Sequence, residues 1–282
     1  MPGLVCTCKA GCFPIKKGFM SYVFDFHDAQ NYERWLADEK NRMILDLQQR
    51  LMVGMMHPGV AQSILDIGCG TGASLMPFLN KGIDLTGIDP SPYMLDAAGR
   101  NLGHRVDLHR GFAEDLPFAD NSFHYSVIFL TLEFCDDPHR ALEEACRVTK
   151  DRVFVGIFNR FSLYAAHRRM MRLLKPSVYS YARFFSIGEI RRMIFAHLGK
   201  VPLEWKTVFQ VPWLPSELTH RIESTKMFQS SPFGGFAGIT ADPVPRFRTF
   251  PLALKRRVNH AGSSGEQVAS CAGDYHNEQM EN

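Results

Sequence analysis

The 282-residue sequence contains no apolar run of the ~18–20 residues needed to cross a bilayer, so stable membrane insertion is not expected. Near the start, Lys9, Lys16 and Lys17 interrupt any continuous apolar stretch, which argues against a secretory leader. Neither sign of charge dominates. The 32 Lys and Arg against 29 Asp and Glu leave a net charge of +3, which offers no electrostatic reason to bind nucleic acid. Cys6, Cys8 and Cys12 crowd the N-terminus but form no Cys-x-x-Cys pair and have no fourth ligand nearby, so no metal site is expected. The other four cysteines are scattered, a usage that fits a reducing cytoplasm. With 45% hydrophobic and 22% charged residues, the chain can bury one large core, or a core and a cap.

The most informative stretch is Ile64-Leu-Asp-Ile-Gly-Cys-Gly-Thr-Gly72, an apolar strand running into a glycine-rich turn. Gly68, Gly70 and Ala73 also satisfy the G-x-G-x-x-G/A pattern of dinucleotide sites. Asp66, two residues before the first glycine, separates the two readings. A dinucleotide lays its pyrophosphate over this turn, where a carboxylate ~4 Å away would repel it by roughly 4 kcal/mol at an effective dielectric of ~20. S-adenosylmethionine has no phosphate, and its ammonium and sulfonium both favour a nearby acid. A helix over 72–79 and a strand over 83–88 follow, ending at Asp89, 21 residues after Gly68. An acid at that distance can accept bonds from adenosine ribose hydroxyls.

Three ordered motifs, Ile64–Gly72, Gly87–Leu95 and Gly111–Phe118, resemble the class I S-adenosylmethionine-dependent methyltransferases (methyltransferase type 11). The similarity is greatest to the small-molecule branch containing ubiquinone/menaquinone C-methyltransferases and malonyl-carrier O-methyltransferases. It covers about residues 26–158, with a weaker echo to about 257. The resemblance implies a cofactor set of Tyr32, Asp66, Gly68, Cys69, Gly70, Asp89, Pro90, Met94, Phe112, Ala113, Glu114 and Leu130. In it Asp66 would hold the methionine ammonium, and Gly68 and Gly70 would let the backbone approach. Asp89 would accept the ribose hydroxyls, Met94 would lie on the adenine face, and the Ala113 N–H would donate to an adenine nitrogen. Relatives often have Asp where this chain has Phe112, so Glu114 or Asp115 would replace that carboxylate, or Phe112 would serve as an apolar wall. Phe26-His-Asp-Ala-Gln-Asn-Tyr32 has the spacing of a lid segment, making Tyr32 a cofactor contact.

Alternation of strands and helices predicts an α/β fold: a Rossmann-like, mostly parallel seven-stranded sheet with helices on both faces. An N-terminal helical lid (26–60) would precede a cofactor half (61–158) and a substrate-side region (159–257). Residues 1–25 read as irregular and 258–282 as a disordered tail. Strands are expected at 106–109, 125–130, 152–158 and 202–209. A loop-helix insertion over 211–246 would precede a last strand at Arg248–Leu254. Asp137-Pro138 and Ser186-Ile-Gly-Glu189 read as helix starts.

The expected reaction is methyl transfer to the oxygen or carbon of a small-molecule acceptor, with a protein that binds the cofactor without transferring as the alternative. A nicotinamide oxidoreductase is the third reading. Catalytic residues stay unassigned; Glu133, His139, His167 and His220 are the candidate bases. The basic stretch Arg168–Lys175 reads as a solvated helix face or an attractor of acidic substrates.

Overall fold

The structure, a computed structural model, describes residues 22–163, 165–166, 182–208 and 229–243. All lie within the unit that ends at Pro245.

Two helices open the described chain, α1 (Phe26–Ala37) and α2 (Glu39–Met56). Asp25 caps α1 in a reciprocal capping box with Asp28. The helical lid expected over 26–60 is divided at Asp38. Its backbone is extended, its N–H closes α1 on the Trp35 carbonyl, and its carboxylate accepts the Lys40 and Asn41 N–H groups that open α2. The chain then alternates β1 (Ser63–Ile67), β2 (Asp84–Asp89), α3 (Pro92–Leu102), β3 (Asp107–Arg110), β4 (Phe123–Phe129), α4 (Pro138–Val148) and β5 (Thr149–Phe158). After it come α5 (Ile187–Leu198), β6 (Leu203–Val208) and β7 (Phe236–Ala241). The starts of α4 and α5 are those expected: Asp137 accepts from Arg140 N–H, and Ser186 and Glu189 form a capping box.

Between β1 and β2, Ala73–Phe78 forms a 3₁₀ helix where an α-helix is expected. Pro77 lies inside it and has no N–H to give to an i→i−4 ladder.

The seven strands form one sheet in the order β3-β2-β1-β4-β5-β7-β6. The pairings from β3 through β5 are parallel, and β7 runs antiparallel to both β5 and β6. Alternate residues feed two cores. Leu65, Ile67, Val153 and Val155 join α4 and α5 on one face, while Ile64, Val127 and Phe154 join α2 and α3 on the other. The order reverses between β1 and β4. Chain ends diverge there, leaving a crevice beyond the strand C-termini.

The strand β7 falls inside the stretch expected to be a loop-helix insertion, and the expected strand at 248–254 lies outside the described residues. Phe236-Ala-Gly-Ile-Thr-Ala241 is buried at every position and carries no alternation to read. Gly238 faces Gly156 across the ladder, and a Cβ there would lie 2.9 Å from both Leu51 and Phe154 side chains. Only a bare residue lets α2 and the Phe154 ring close over the strand. Gly238→Val is expected to cost about 1–3 kcal/mol by overpacking, seen as a lower urea midpoint with unchanged slope.

Candidate active site

The turn after β1 is built by three glycines with positive φ: Gly68 at 74°, Gly70 at 53° and Gly72 at 80°. Their roles differ. A Cβ at Gly68 would lie 2.2 Å from the Thr131 side chain, and one at Gly72 would lie 2.4 Å from Leu102. At Gly70 it would meet nothing within 4 Å. Gly68 and Gly72 therefore let the turn pack, and Gly70 presents its bare face to the crevice. Gln49 from α2 donates to the Ala73 carbonyl at 2.7 Å and Asn101 from α3 to the Thr71 carbonyl at 3.0 Å, holding the turn from both sides.

Four amides of this turn are already engaged. Gly68 and Cys69 N–H donate to the Ile88 carbonyl at 2.7 and 3.0 Å, and Gly72 N–H to Cys69 at 2.8 Å. Gly70 N–H donates to Asp89 Oδ2 at 2.9 Å. A pyrophosphate needs unpaired N–H groups at an α-helix N-terminus. Here four such groups are spent internally and the following helix is a short 3₁₀ segment, so the dinucleotide reading loses its footing.

Two carboxylates flank the turn. Asp66, on β1, is fully buried. Ser74 Oγ donates to its Oδ2, while its buried Oδ1 has no partner among the described residues. Burial pushes its pKa up to about 7; the Ser74 bond opposes this and the charge of Asp89 adds to it. An acid in this state lacks one thing, a cationic or donor group at Oδ1. Asp89, closing β2, is oriented by Gly70 N–H and by Ser91 N–H on Oδ1 at 2.9 Å. Burial raises its pKa and those two bonds oppose the shift. Each oxygen keeps a lone pair for a further donor, as a ribose diol requires.

These elements open onto a cleft of about 530 Å³, within the usual range for small-molecule sites. Of the twelve expected cofactor residues, eleven line it: Tyr32, Gly68, Cys69, Gly70, Asp89, Pro90, Met94, Phe112, Ala113, Glu114 and Leu130. Asp66 lies just behind the wall, under Ser74. Tyr32 stacks on Trp35 at 5.8 Å and 15°, and burial, then the Asp66 charge, push its hydroxyl up to about 12. Phe112 is 48% exposed and contributes a ring to the wall. Glu114 lines the cleft, with Oε1 accepting Asp136 N–H at 3.0 Å, whereas Asp115 is exposed and outside the lining. Leu130 adopts φ 56°, a conformation unusual for a branched residue. Its N–H is tied to the Gly156 carbonyl at 2.9 Å, which turns the chain out of β4 over the crevice.

Sequence reasoning missed Tyr22, Phe24, Asp28, Ser74 and Phe158, which also line the cleft. Tyr22 and Phe24 precede the lid helix in a stretch read as irregular. The one signal there was the aromatic spacing Tyr22-x-Phe24-x-Phe26.

The methyltransferase-domain family model matches residues 65–157, the segment that carries this turn, both acids and the β4 exit. The chain is similar to a demethylmenaquinone methyltransferase of Paenarthrobacter aurescens, 41% identical over 36% of this chain and 40% of the relative. Residues 65–157 form a methyltransferase domain of the class I S-adenosylmethionine-dependent type. Its similarity to an uncharacterized Methanocaldococcus jannaschii protein is longer, 29% identical over 79% of this chain and 99% of that one. Among solved structures, it is similar to a Thermotoga maritima S-adenosylmethionine-dependent methyltransferase described as a possible histamine N-methyltransferase. That similarity has TM-score 0.64 and 28% identity, over 78% of this chain and 97% of the other. The match to the Paenarthrobacter enzyme spans less than half of that enzyme's length.

S-adenosylmethionine is the cofactor of such domains, and this site has the donor set for it: a buried acid with an unpartnered oxygen among the described residues, a pre-oriented diol acceptor and a bare glycine at the crevice. Its candidate bases fare differently. Glu133 is buried and outside the lining; its Oε1 accepts Phe158 N–H at 2.7 Å, Oε2 has no partner among the described residues, and burial pushes its pKa up to about 8. Arg140, two residues into α4, pairs with Glu143 and Glu144. His139 is exposed, outside the lining, and 6.2 Å from the His197 ring. His167, His220, the basic stretch at 168–175 and Cys6, Cys8 and Cys12 lie outside the described residues. Among the described residues no metal-ligating cluster occurs, and no helix is long and apolar enough to cross a membrane.

Proposed function

We propose that this chain catalyses methyl transfer from S-adenosylmethionine to a small-molecule acceptor in the cytoplasm, and does not act as a cofactor-binding scaffold. The observation that carries the reading is the buried Oδ1 of Asp66, unpartnered among the described residues, beside a turn whose three glycine amides and Cys69 amide are spent. That pairing suits a cationic methionine group and disfavours a phosphate.

In this reading Asp66 receives the methionine ammonium, and Asp89 accepts the two ribose hydroxyls. Met94 and Phe112 flank the adenine, and Ala113 N–H and Glu114 read its edge. Tyr32 and Trp35 cover the methionine end from the lid helix. The cofactor supplies a methyl group on a sulfonium, a leaving group that needs no further activation. The protein's work is therefore to align an acceptor with that carbon and to exclude water. An oxygen or carbon acceptor, as the similarity to C- and O-methyltransferases suggests, would also have to give up a proton. Asp28 and Glu114 are the carboxylates in the lining other than Asp89 that could receive it.

The test has two parts. Titration calorimetry should show S-adenosylhomocysteine binding, with no response to NADH. Methyl-tritiated S-adenosylmethionine should then label a metabolite in a cell extract. Binding with no label in any extract fraction would favour the scaffold reading.

A further inference from the structure

We propose that Ser91 is a positioning residue that couples the lid to the cofactor: it ties Asp89, the ribose acceptor, to the Phe24 carbonyl, so that filling the ribose site and closing the lid become one event. The proposal rests on the cofactor placement of the methyl-transfer reading above and adds a residue to its machinery.

Packing does little to hold the lid down. Of the twelve residues of α1, only Asp28 and Ala29 are buried, against seven of the eighteen in α2. Yet α1 supplies Asp28, Asn31, Tyr32 and Trp35 to the cleft wall, and Tyr22 and Phe24 just before it line the cleft too. A segment with so little buried apolar surface opens at a lower free energy than the sheet behind it. Asp38, extended between α1 and α2, is its non-helical joint to the rest of the chain. What keeps this segment in place must therefore be sought in its polar contacts.

Ser91 is where the lid meets the ribose site. It is fully buried. Its N–H donates to Asp89 Oδ1 at 2.9 Å, and its hydroxyl donates to the Phe24 carbonyl at 2.6 Å while accepting Met94 N–H at 3.2 Å. One residue thus joins the ribose acid, the lid backbone and the start of the helix that carries Met94. Pro90 and Pro92 flank it, and their rings fix φ on either side. Little backbone freedom then separates the Ser91 hydroxyl from the Asp89 carboxylate. On the lid side, Phe24 directly precedes Asp25, the N-cap of α1.

Other contacts of the lid are less suited to the task. The Glu33–Arg100 pair, at 2.9 Å, stands in solvent, where such pairs contribute little. Rings of Phe24 and Phe134 meet at 5.0 Å and those of Phe26 and Tyr93 at 5.8 Å, apolar contacts without the directionality of a hydrogen bond. Ribose hydroxyls on Asp89 would hold its carboxylate, and with it the Asp89–Pro92 turn, in the geometry that presents the Ser91 hydroxyl to Phe24. Linkage makes the effect reciprocal: a ligand that favours the closed lid is itself retained by that lid, by the same factor.

The experiment uses the full chain. In the unmodified protein, saturation with S-adenosylhomocysteine should slow amide hydrogen exchange over residues 26–37 at least ten-fold. Ser91→Ala and Ser91→Gly both remove the hydroxyl, but glycine is a tolerated N-cap and alanine is not. A latch predicts the same result in both variants. The ligand no longer protects the lid, and S-adenosylhomocysteine leaves at least ten-fold faster in stopped flow, followed by tryptophan fluorescence, since Trp35 lines the cleft. A role confined to capping α3 predicts instead a change in Ser91→Ala that Ser91→Gly largely spares. Arg100→Ala, which removes the exposed ion pair, should leave release within two-fold of the parent. Lid exchange unchanged by bound ligand overturns the proposal. So does release within two-fold of the parent in Ser91→Gly, or release in Arg100→Ala as fast as in Ser91→Gly. In each of those cases S-adenosylhomocysteine still binds, so the methyl-transfer reading survives. Failure of the unmodified protein to bind it would instead defeat that reading, and the latch with it.

Discussion

Asp89→Ala is expected to weaken S-adenosylhomocysteine binding by about 3 kcal/mol, more than a hundred-fold, because two ribose hydroxyls lose a charged acceptor worth about 1.5–3 kcal/mol each. The substitution has a second effect. Gly70 N–H and Ser91 N–H both end on this carboxylate at 2.9 Å, and they lose their partner together. Asp89→Asn separates the two contributions. Its amide oxygen can keep one backbone donor while the charge is gone, so its affinity should fall between the parent and Asp89→Ala. Calorimetry of the three proteins checks the order. Equal affinity in all three would remove Asp89 from the cofactor site.

The unliganded protein should be most stable near pH 5 and lose stability steadily toward pH 8.5. Asp66 titrates near 7 and Glu133 near 8 in the folded chain, both raised chiefly by burial. The folded state therefore holds two protons that the unfolded chain releases near pH 4. The stability these groups supply is full below pH 4 and is lost as pH rises through 7 and then 8. At Asp66 a rise from the ordinary carboxylate range to about 7 corresponds to a loss on the order of 4 kcal/mol. On the acid side the opposite holds. Glu144, lowered first by its Arg147 bond, and Glu189, lowered by Ser186 and Arg160 against burial, lose their contribution as pH falls through the carboxylate range. Urea midpoints at pH 5.5 and 8.5 should thus differ in the parent, differ less in Asp66→Asn and in Glu133→Gln, and converge in the double variant. A flat midpoint in the parent would contradict the burial of both acids.

Cofactor binding should carry the reverse dependence. An ammonium at Oδ1 favours ionised Asp66, so S-adenosylhomocysteine affinity should rise from pH 5.5 to about 7.5. Above about 8 the ligand's own α-ammonium loses its proton, and the affinity should fall again. Asp66→Asn should bind weakly and without the rising limb.

Several features were legible in the sequence because they depend on neighbours along the chain. A glycine required at positive φ, a capping box of residues three apart and a proline at a helix start are local constraints. Gly68–Gly72, Ser186–Glu189 and Asp137-Pro138 accordingly sit as expected. Asp66 and Asp89 are spaced by one strand-helix-strand unit, and that unit's length places both acids on one rim. Strand β7 was not legible. Its residues are buried on both faces, so no alternation distinguishes it from an apolar loop, and the space for its Gly238 is set by Leu51 and Phe154 from distant segments.

The sequence by itself pointed to the cofactor: two acids about twenty residues apart mark an adenosine site, Asp66 before the glycine turn disfavours a pyrophosphate, and three ordered motifs resemble those of S-adenosylmethionine-dependent enzymes. Tertiary structure decided what surrounds that ligand. It showed that four of the turn's amides are spent, that Asp66 keeps one buried oxygen unpartnered among the described residues, and that Tyr22 and Phe24 meet Phe134 across the cleft. Those facts join residues with no sequence relation, and only the packing of the lid segment against the β4 exit brings them together.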